Sequence, residues 1–254
     1  MNKIRERWSA GTAAIAGWLQ IPGALHAEAL ARCGYDALVI DMQHSPTDFS
    51  TALAMMTAIE HAGAEPMVRV QRSEPEEIMK LLDCGAYGII APMIETAEQA
   101  RELASAVHYA PRGVRSFGAR RPMMRYGESY MKNASDTFVI FAMIETRRGI
   151  ENLDEILSVD GLDGVFIGPA DLALSLGCAP VAESTEPRVM EAVDHIRIRA
   201  HAAGKRVGMF CNGAAFARKK IEEGFDFVSV APDLLVLTNG VRKIVAETRG
   251  TAAS

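Results

Sequence analysis

Eight times along its 254 residues the chain passes from a short apolar run to a longer amphipathic stretch, and this alternation limits the fold more than any other feature. The apolar runs cover residues 14–20, 37–42, 66–70, 87–93, 138–145, 162–168, 206–211 and 227–230. Helical stretches are predicted at 24–33, 48–61, 75–84, 97–107, 149–157, 187–203, 213–223 and 233–247. Several of them close on a glycine turn, at Gly34, Gly85, Gly204 and Gly224, which marks the end of the molecule where strands begin. Eight β units with intervening helices in about 250 residues match a closed α/β barrel, (β/α)8 or TIM type, better than an open doubly wound sheet. No linker interrupts the alternation, so residues 1–254 are expected to form one domain.

That architecture directs attention to the strand ends, because a βα barrel carries its chemistry on the loops that follow its strands. The polar residues there are Gln20, then Asp41, Gln43 and His44, then Arg69, Glu145 and Asp171, with Trp18 close by. Glu145 ends the run FVIFAMIE, and Asp171 follows the run Val165-Phe166-Ile167 and the turn Gly168-Pro169. Taken alone, Asp171 reads as a helix-capping acid and His44 as a packing histidine. Two carboxylates at the same end of neighbouring strands point instead to a site. Hard oxygen donors with no nearby histidine or thiolate suit Mg²⁺ or Mn²⁺ with open coordination positions. An acid and base pair without metal, as in glycosidases, is the competing reading, and adjacency of the two strands favours shared coordination. Arg69, in Met67-Val68-Arg69-Val70, needs an anionic partner, either a structural carboxylate or a substrate.

Other chemistries lack their residues. No lysine ends a strand, which argues against an imine mechanism, and no GxGxxG or GxxxxGK[ST] run follows a strand. A net charge of −5 without a basic stripe argues against nucleic acid. Cys33, Cys84, Cys178 and Cys211 are far apart, indicating neither a zinc cluster nor a disulfide framework. No membrane span or targeting pattern is visible, so a cytoplasmic enzyme is expected. Residues 109–136 are too long for a plain connection. Their arginines, Arg112, Arg115, Arg120, Arg121 and Arg125, suit contact with either a substrate or another subunit.

The blocks IDMQHSPTD (40–48), MVRV (67–70), LLDCGAYGIIAPMI (81–94), VRSFGARR (114–121), MIETRRGIENLDEI (143–156) and GVFIGPADL (164–172) resemble the HpcH/HpaI aldolase family along nearly the whole chain. The resemblance implies a metal-dependent aldolase that reversibly cleaves 4-hydroxy-2-oxo acids, through an enolate, to an aldehyde and pyruvate or a related 2-oxo acid such as hydroxypyruvate. Oxaloacetate decarboxylation is the implied side activity. It also implies a homo-oligomer, hexamer or trimer, whose C-terminal helices exchange between neighbours. By motif, Glu145 and Asp171 resemble the ligands of a divalent ion, Mg²⁺, Mn²⁺ or Co²⁺. Arg69 resembles the arginine beside the enolate and His44 the acid/base group. Asp41 and Asp83 match acids that accompany this histidine, Asp83 acting from a neighbouring subunit. Trp18, Gly168, Pro169 and Ala170 fall at the substrate, where the amides of Ala170 and Asp171 would hold a carboxylate. Trp18 and the 114–126 segment are expected to wall the aldehyde side. Met143 stands where better-known members carry glutamine, which is expected to alter donor preference. An acyl-CoA carbon–carbon lyase of the same superfamily and a catalytically silent binding barrel are the alternatives; no segment suggests a CoA site, and intact site residues argue against the silent barrel.

Overall fold

The computed structural model describes residues 2–251, and in it all eight apolar runs become strands. They are β1 (Ala14–Leu19), β2 (Ala37–Asp41), β3 (Glu65–Arg69), β4 (Gly88–Ala91), β5 (Val139–Ile144), β6 (Gly164–Ile167), β7 (Arg206–Cys211) and β8 (Phe227–Pro232). They pair in parallel in sequence order, and β1 also pairs with β8, which closes the barrel.

Around the barrel run α1 (Lys3–Ser9), α2 (Ala24–Ala31), α3 (Phe49–Ala62), α4 (Pro75–Asp83), α5 (Ala97–Val107), α6 (Arg120–Tyr126) and α7 (Tyr130–Asn133). They are followed by α8 (Arg147–Glu151), α9 (Leu153–Leu157), α10 (Pro169–Ser175), α11 (Pro187–Ala202), α12 (Ala214–Glu222) and α13 (Asp233–Arg249).

The strands read as continuous apolar runs because both of their faces are buried. Alternate side chains such as Leu38, Ile40, Val68, Ile140 and Val228 pack outward against the helices. The others, among them Ala16, Trp18, Val39, Met67, Phe141, Phe166 and Phe227, fill the barrel interior. Phe141 lies 5.3 Å from Phe227 and 6.1 Å from Phe166 between ring centroids, so the interior is packed with aromatic rings. Gly34, Gly85, Gly204 and Gly224 all take positive φ ahead of strands, as their positions predict.

Helix α1 is an element that the sequence reading does not include. Asn2 starts it by accepting from the amide of Ile4, while the Asn2 amide donates to the carbonyls of Tyr87 and Thr137. Its Ile4 and Trp8 are buried in the interior cluster and stopper the barrel at the strand-start end.

Residues 109–136 also depart from the reading as a long loop over the site. They contain α6, α7 and two 3₁₀ turns. They lie at the strand-start end, because they join the C-terminus of α5 to the start of β5. Ion pairs hold them there: Arg115 to Asp83 at 2.7 Å, Arg125 to Glu65 at 2.7 Å, and Arg121 to Glu60. Within one chain this segment therefore does not wall the aldehyde side. The predicted helix 149–157 is displaced and divided at Asn152, whose amide group donates to the carbonyl of Glu95 at 2.8 Å.

Helix α13 docks against β1 and β8, yet Leu234, Val236, Leu237, Val241 and Ile244 are exposed along it. No helix among the described residues is long and apolar enough to cross a membrane. The four cysteines are free thiols.

Candidate active site

A cavity of about 160 Å³ opens at the strand-end mouth of the barrel, lined by Trp18, His44, Arg69, Met143, Glu145 and Gly168 to Asp171. A larger groove, about 520 Å³, lies at the opposite end. Most of its charges are already answered by the protein: Arg5 pairs with Asp163, Arg206 with Asp226, and the Lys205 ammonium donates to the carbonyls of Val159 and Leu162. The smaller cavity is where unanswered charge collects, and it is the candidate site.

Asp41 organises one side of it. Asp41 and Arg69 are neighbours in the β2–β3 register, and the guanidinium grips the carboxylate at both oxygens, Nε to Oδ1 at 2.9 Å and Nη2 to Oδ2 at 2.5 Å. The Trp18 indole donates to Oδ2 at 3.2 Å, and the amides of Gln43 and His44 donate to Oδ1 at 3.1 Å each. Burial alone would raise the Asp41 carboxyl, but the Arg69 pair and these donors together hold it below the usual carboxylate range. The Arg69 guanidinium also lies over the Trp18 ring, 4.8 Å from its centroid. The anionic partner of Arg69 is thus a structural carboxylate. Its Nη1 has no protein partner among the described residues, and the side chain still faces the cavity.

Glu145 and Asp171 occupy the other side. The amide of Met93 donates to Glu145 Oε1 at 2.8 Å. Glu145 Oε2 lies against Gly168, where a Cβ would collide with it, so only glycine leaves this cradle open. Burial first, and the nearby Asp171 charge second, push the Glu145 carboxyl up to about 7, against the opposing effects of the Met93 amide and Arg69. Neither acid makes an ion pair among the described residues, so a buried carboxylate beside a second acid is left without a cation of the protein. That arrangement fits a divalent cation. No group of three or more His, Cys, Asp or Glu side chains among the described residues could hold a metal, so these two acids would supply two ligands and leave the other positions open. The glycosidase-type alternative loses force because both carboxylates lie on one wall, at the ends of paired strands.

Gly168 and Pro169 lead into α10, whose first-turn amides at Ala170 and Asp171 precede the intrahelical ladder. Met143 is buried and lines the cavity, so the position that lacks glutamine does face the site. Phe166 and Phe210 complete an apolar wall with Trp18, at 5.8 Å and 5.2 Å between centroids. These two phenylalanines escape a search for polar strand ends; their inward positions on β6 and β7 are the only signal that locates them.

The structure does not bring all the predicted residues together. The His44 imidazole is at the mouth but has no side-chain partner among the described residues, since Asp41 accepts only its backbone amide. Asp83 lies at the other end of the barrel. It is the last residue of α4, next to the start of β4, and it accepts from Arg115.

The sequence profile of the HpcH/HpaI aldolase/citrate lyase family matches residues 16–240. The chain is 61% identical over 249 residues to a hydroxypyruvate/pyruvate aldolase of Rhizorhabdus wittichii, covering 98% of this chain and 99% of that protein. It is 36% identical over 248 residues to a 4-hydroxy-2-oxo-heptane-1,7-dioate aldolase of Salmonella heidelberg, covering 96% and 94%. Among solved structures, an HpcH/HpaI aldolase/citrate lyase family protein from Burkholderia cenocepacia J2315 superposes with a TM-score of 0.89 at 31% identity, over 98% of this chain and 100% of that one.

Proposed function

The chain belongs to the HpcH/HpaI aldolase/citrate lyase family, and from that premise we propose that it is a divalent-metal-dependent aldolase. It cleaves 4-hydroxy-2-oxo acids reversibly to an aldehyde and a small 2-oxo acid, pyruvate or hydroxypyruvate. The observation that carries this reading is the pair Glu145 and Asp171, which share a small barrel-mouth cavity with Arg69 and His44 and make no ion pair among the described residues. The name of the 61% identical relative supports the choice of donor.

A divalent ion held by Glu145 and Asp171 would act as the Lewis acid for the 2-oxo group when bound. The residues around it have distinct tasks. Asp41 fixes the Arg69 fork so that its free Nη1 presents positive charge where the enolate oxygen develops. His44, unencumbered at its ring, removes the 4-hydroxyl proton during cleavage and returns it in condensation. The amides of Ala170 and Asp171 receive the donor carboxylate. Trp18, Phe166, Phe210 and Met143 keep water from the enolate.

The exposed apolar side of α13 supports a homo-oligomer in which this helix packs on a neighbour. Asp83 then serves the His44 of an adjacent copy, since within one chain it faces away from the mouth. The four free thiols are consistent with a cytoplasmic enzyme.

The test is pyruvate release from 4-hydroxy-2-oxo acids by EDTA-stripped protein, before and after Mg²⁺, Mn²⁺ or Co²⁺ is restored. Release that appears only with metal is expected. No release with any metal, from folded protein and with hydroxypyruvate also tried as donor, would overturn the proposal.

A further inference from the structure

Among the described residues, two that are not glycine adopt the left-handed backbone, Met93 at φ 57° and Ala231 at φ 59°. L side chains rarely take that conformation, and methionine has no short polar group to ease it. Met93 follows β4 and Pro92, so this strain sits at the barrel mouth beside the end of β5. In an extended strand successive amides point to opposite sides. The left-handed residue breaks the alternation, and two consecutive amides reach β5. Ile94 N–H donates to the Met143 carbonyl at 3.2 Å, and Met93 N–H donates to Glu145 Oε1 at 2.8 Å. Glu145 Oε2 is left without a protein donor among the described residues, against Gly168. The Met93 side chain takes no part in this clasp and is 46% exposed.

We propose that Met93 is a positioning residue. Its left-handed backbone aims one amide at Glu145 Oε1 and thereby fixes Oε2 as the oxygen offered to a divalent ion. The inference rests on Glu145 being a ligand of that ion, as proposed above. The side chain is dispensable, whereas the N–H and the positive φ are not.

The test titrates full-length, metal-free protein with Mn²⁺ and follows the loss of the free Mn²⁺ paramagnetic resonance signal. Three changes at residue 93 are compared with wild type: Met93→Gly, Met93→Val, and replacement of methionine by its α-hydroxy acid, which exchanges the N–H for an ester oxygen. Met93→Gly keeps the amide and accepts the backbone freely, so its affinity stays within about two-fold of wild type and its melting temperature does not fall. The ester weakens Mn²⁺ binding by roughly ten-fold or more, the usual effect of losing a group that orients a metal ligand. Met93→Val, branched at Cβ, resists the left-handed conformation and weakens binding in the same direction. Wild-type affinity in the ester protein would overturn the inference, as would wild-type affinity in Met93→Val should the ester protein not fold. Equal weakening by Met93→Gly would also overturn it by assigning the effect to the side chain. A wild-type protein that leaves the Mn²⁺ signal unchanged removes Glu145 as a ligand and this inference with it. Binding by wild type with no effect of the ester removes this inference alone.

Discussion

At the strand-start end Asp163 accepts from the Arg5 guanidinium at 2.5 Å and from the amide of Ile140 at 2.8 Å, whereas at the mouth Glu145 and Asp171 lie together with no cation paired to either among the described residues. The same contrast repeats around the barrel. Asp36 has Arg7, Glu65 has Arg125 and Asp226 has Arg206, all at 2.7 Å. At the mouth Arg69 answers Asp41 in this way, but no ion pair among the described residues reaches Glu145 or Asp171. Charge at one end is completed by the chain itself, and its effect is to hold the fold. The Glu145 and Asp171 charge at the other end is left incomplete, which costs stability in the isolated protein and would be resolved by the cation proposed to bind there.

Glu145→Gln should break this contrast most severely. Metal-dependent aldol cleavage, measured as kcat/KM, is expected to fall by about 10³-fold or more. The same change should stabilise the metal-free protein. The folded Glu145 carboxyl is raised to about 7, so its contribution is fully present below the unfolded value of about 4.3 and is lost as pH rises through 7. In urea melts at pH 8 the glutamine variant should therefore exceed metal-free wild type by about 3 kcal/mol, and the gap should close towards pH 4. Equal stability at both pH values would show that the mouth is not under electrostatic strain.

Arg69→Ala combines both kinds of loss. Cleavage should fall by about 10²-fold, because a charge beside the enolate is gone. Stability should also drop by about 3 kcal/mol, because Asp41 is fully buried and keeps no cation. The Asp41 carboxyl is held low, so the stability this pair supplies is present above the ordinary carboxylate pKa and is lost as pH falls through the lowered value. Wild type should accordingly lose more stability than Arg69→Ala on acidification. Variant cleavage within a few-fold of wild type would contradict the role given to Arg69.

Gly168→Ala is a milder intrusion at the mouth. Its new methyl would displace Glu145 Oε2, so Mn²⁺ affinity should weaken by roughly 10- to 100-fold with the barrel intact, as read by calorimetry and circular dichroism. Arg5→Ala addresses the opposite end and should have the smallest effect on chemistry. It leaves Asp163 buried without its cation, so the melting temperature should fall, by about 3 kcal/mol in stability. kcat/KM per folded molecule should stay within about two-fold of wild type, since no residue of the mouth touches the pair.

The strands were legible because each is buried on both faces and needs an unbroken apolar run, and the positions of Glu145 and Asp171 followed from where those runs stop. The partner of Arg69 was not legible. Whether Asp41 or a substrate meets the guanidinium depends on the β2–β3 register, which brings residues 28 positions apart into alignment. The placement of residues 109–136 was hidden for a similar reason. Their arginines look like substrate contacts until Glu60, Glu65 and Asp83 are seen to hold them at the strand-start end. Helix α1 has only seven residues, and its start depends on Asn2 contacts with Tyr87 and Thr137, far along the chain. Local pattern gave the elements, and long-range pairing decided how their charges are used.

Ile4 and Trp8 stopper the barrel below, and rings of Phe141, Phe166 and Phe227 fill its interior, so the catalytic cavity is a vessel with one opening. Traffic through such a vessel is ordered. Under the proposed function the 2-oxo acid would occupy the bottom, against Glu145 and Asp171, and the aldehyde would lie above it towards His44. In condensation the donor would then enter first; in cleavage the aldehyde would leave before the 2-oxo acid could follow. Product inhibition patterns inherit that sequence, with the 2-oxo acid competing directly against the intact hydroxy-oxo acid for the empty enzyme.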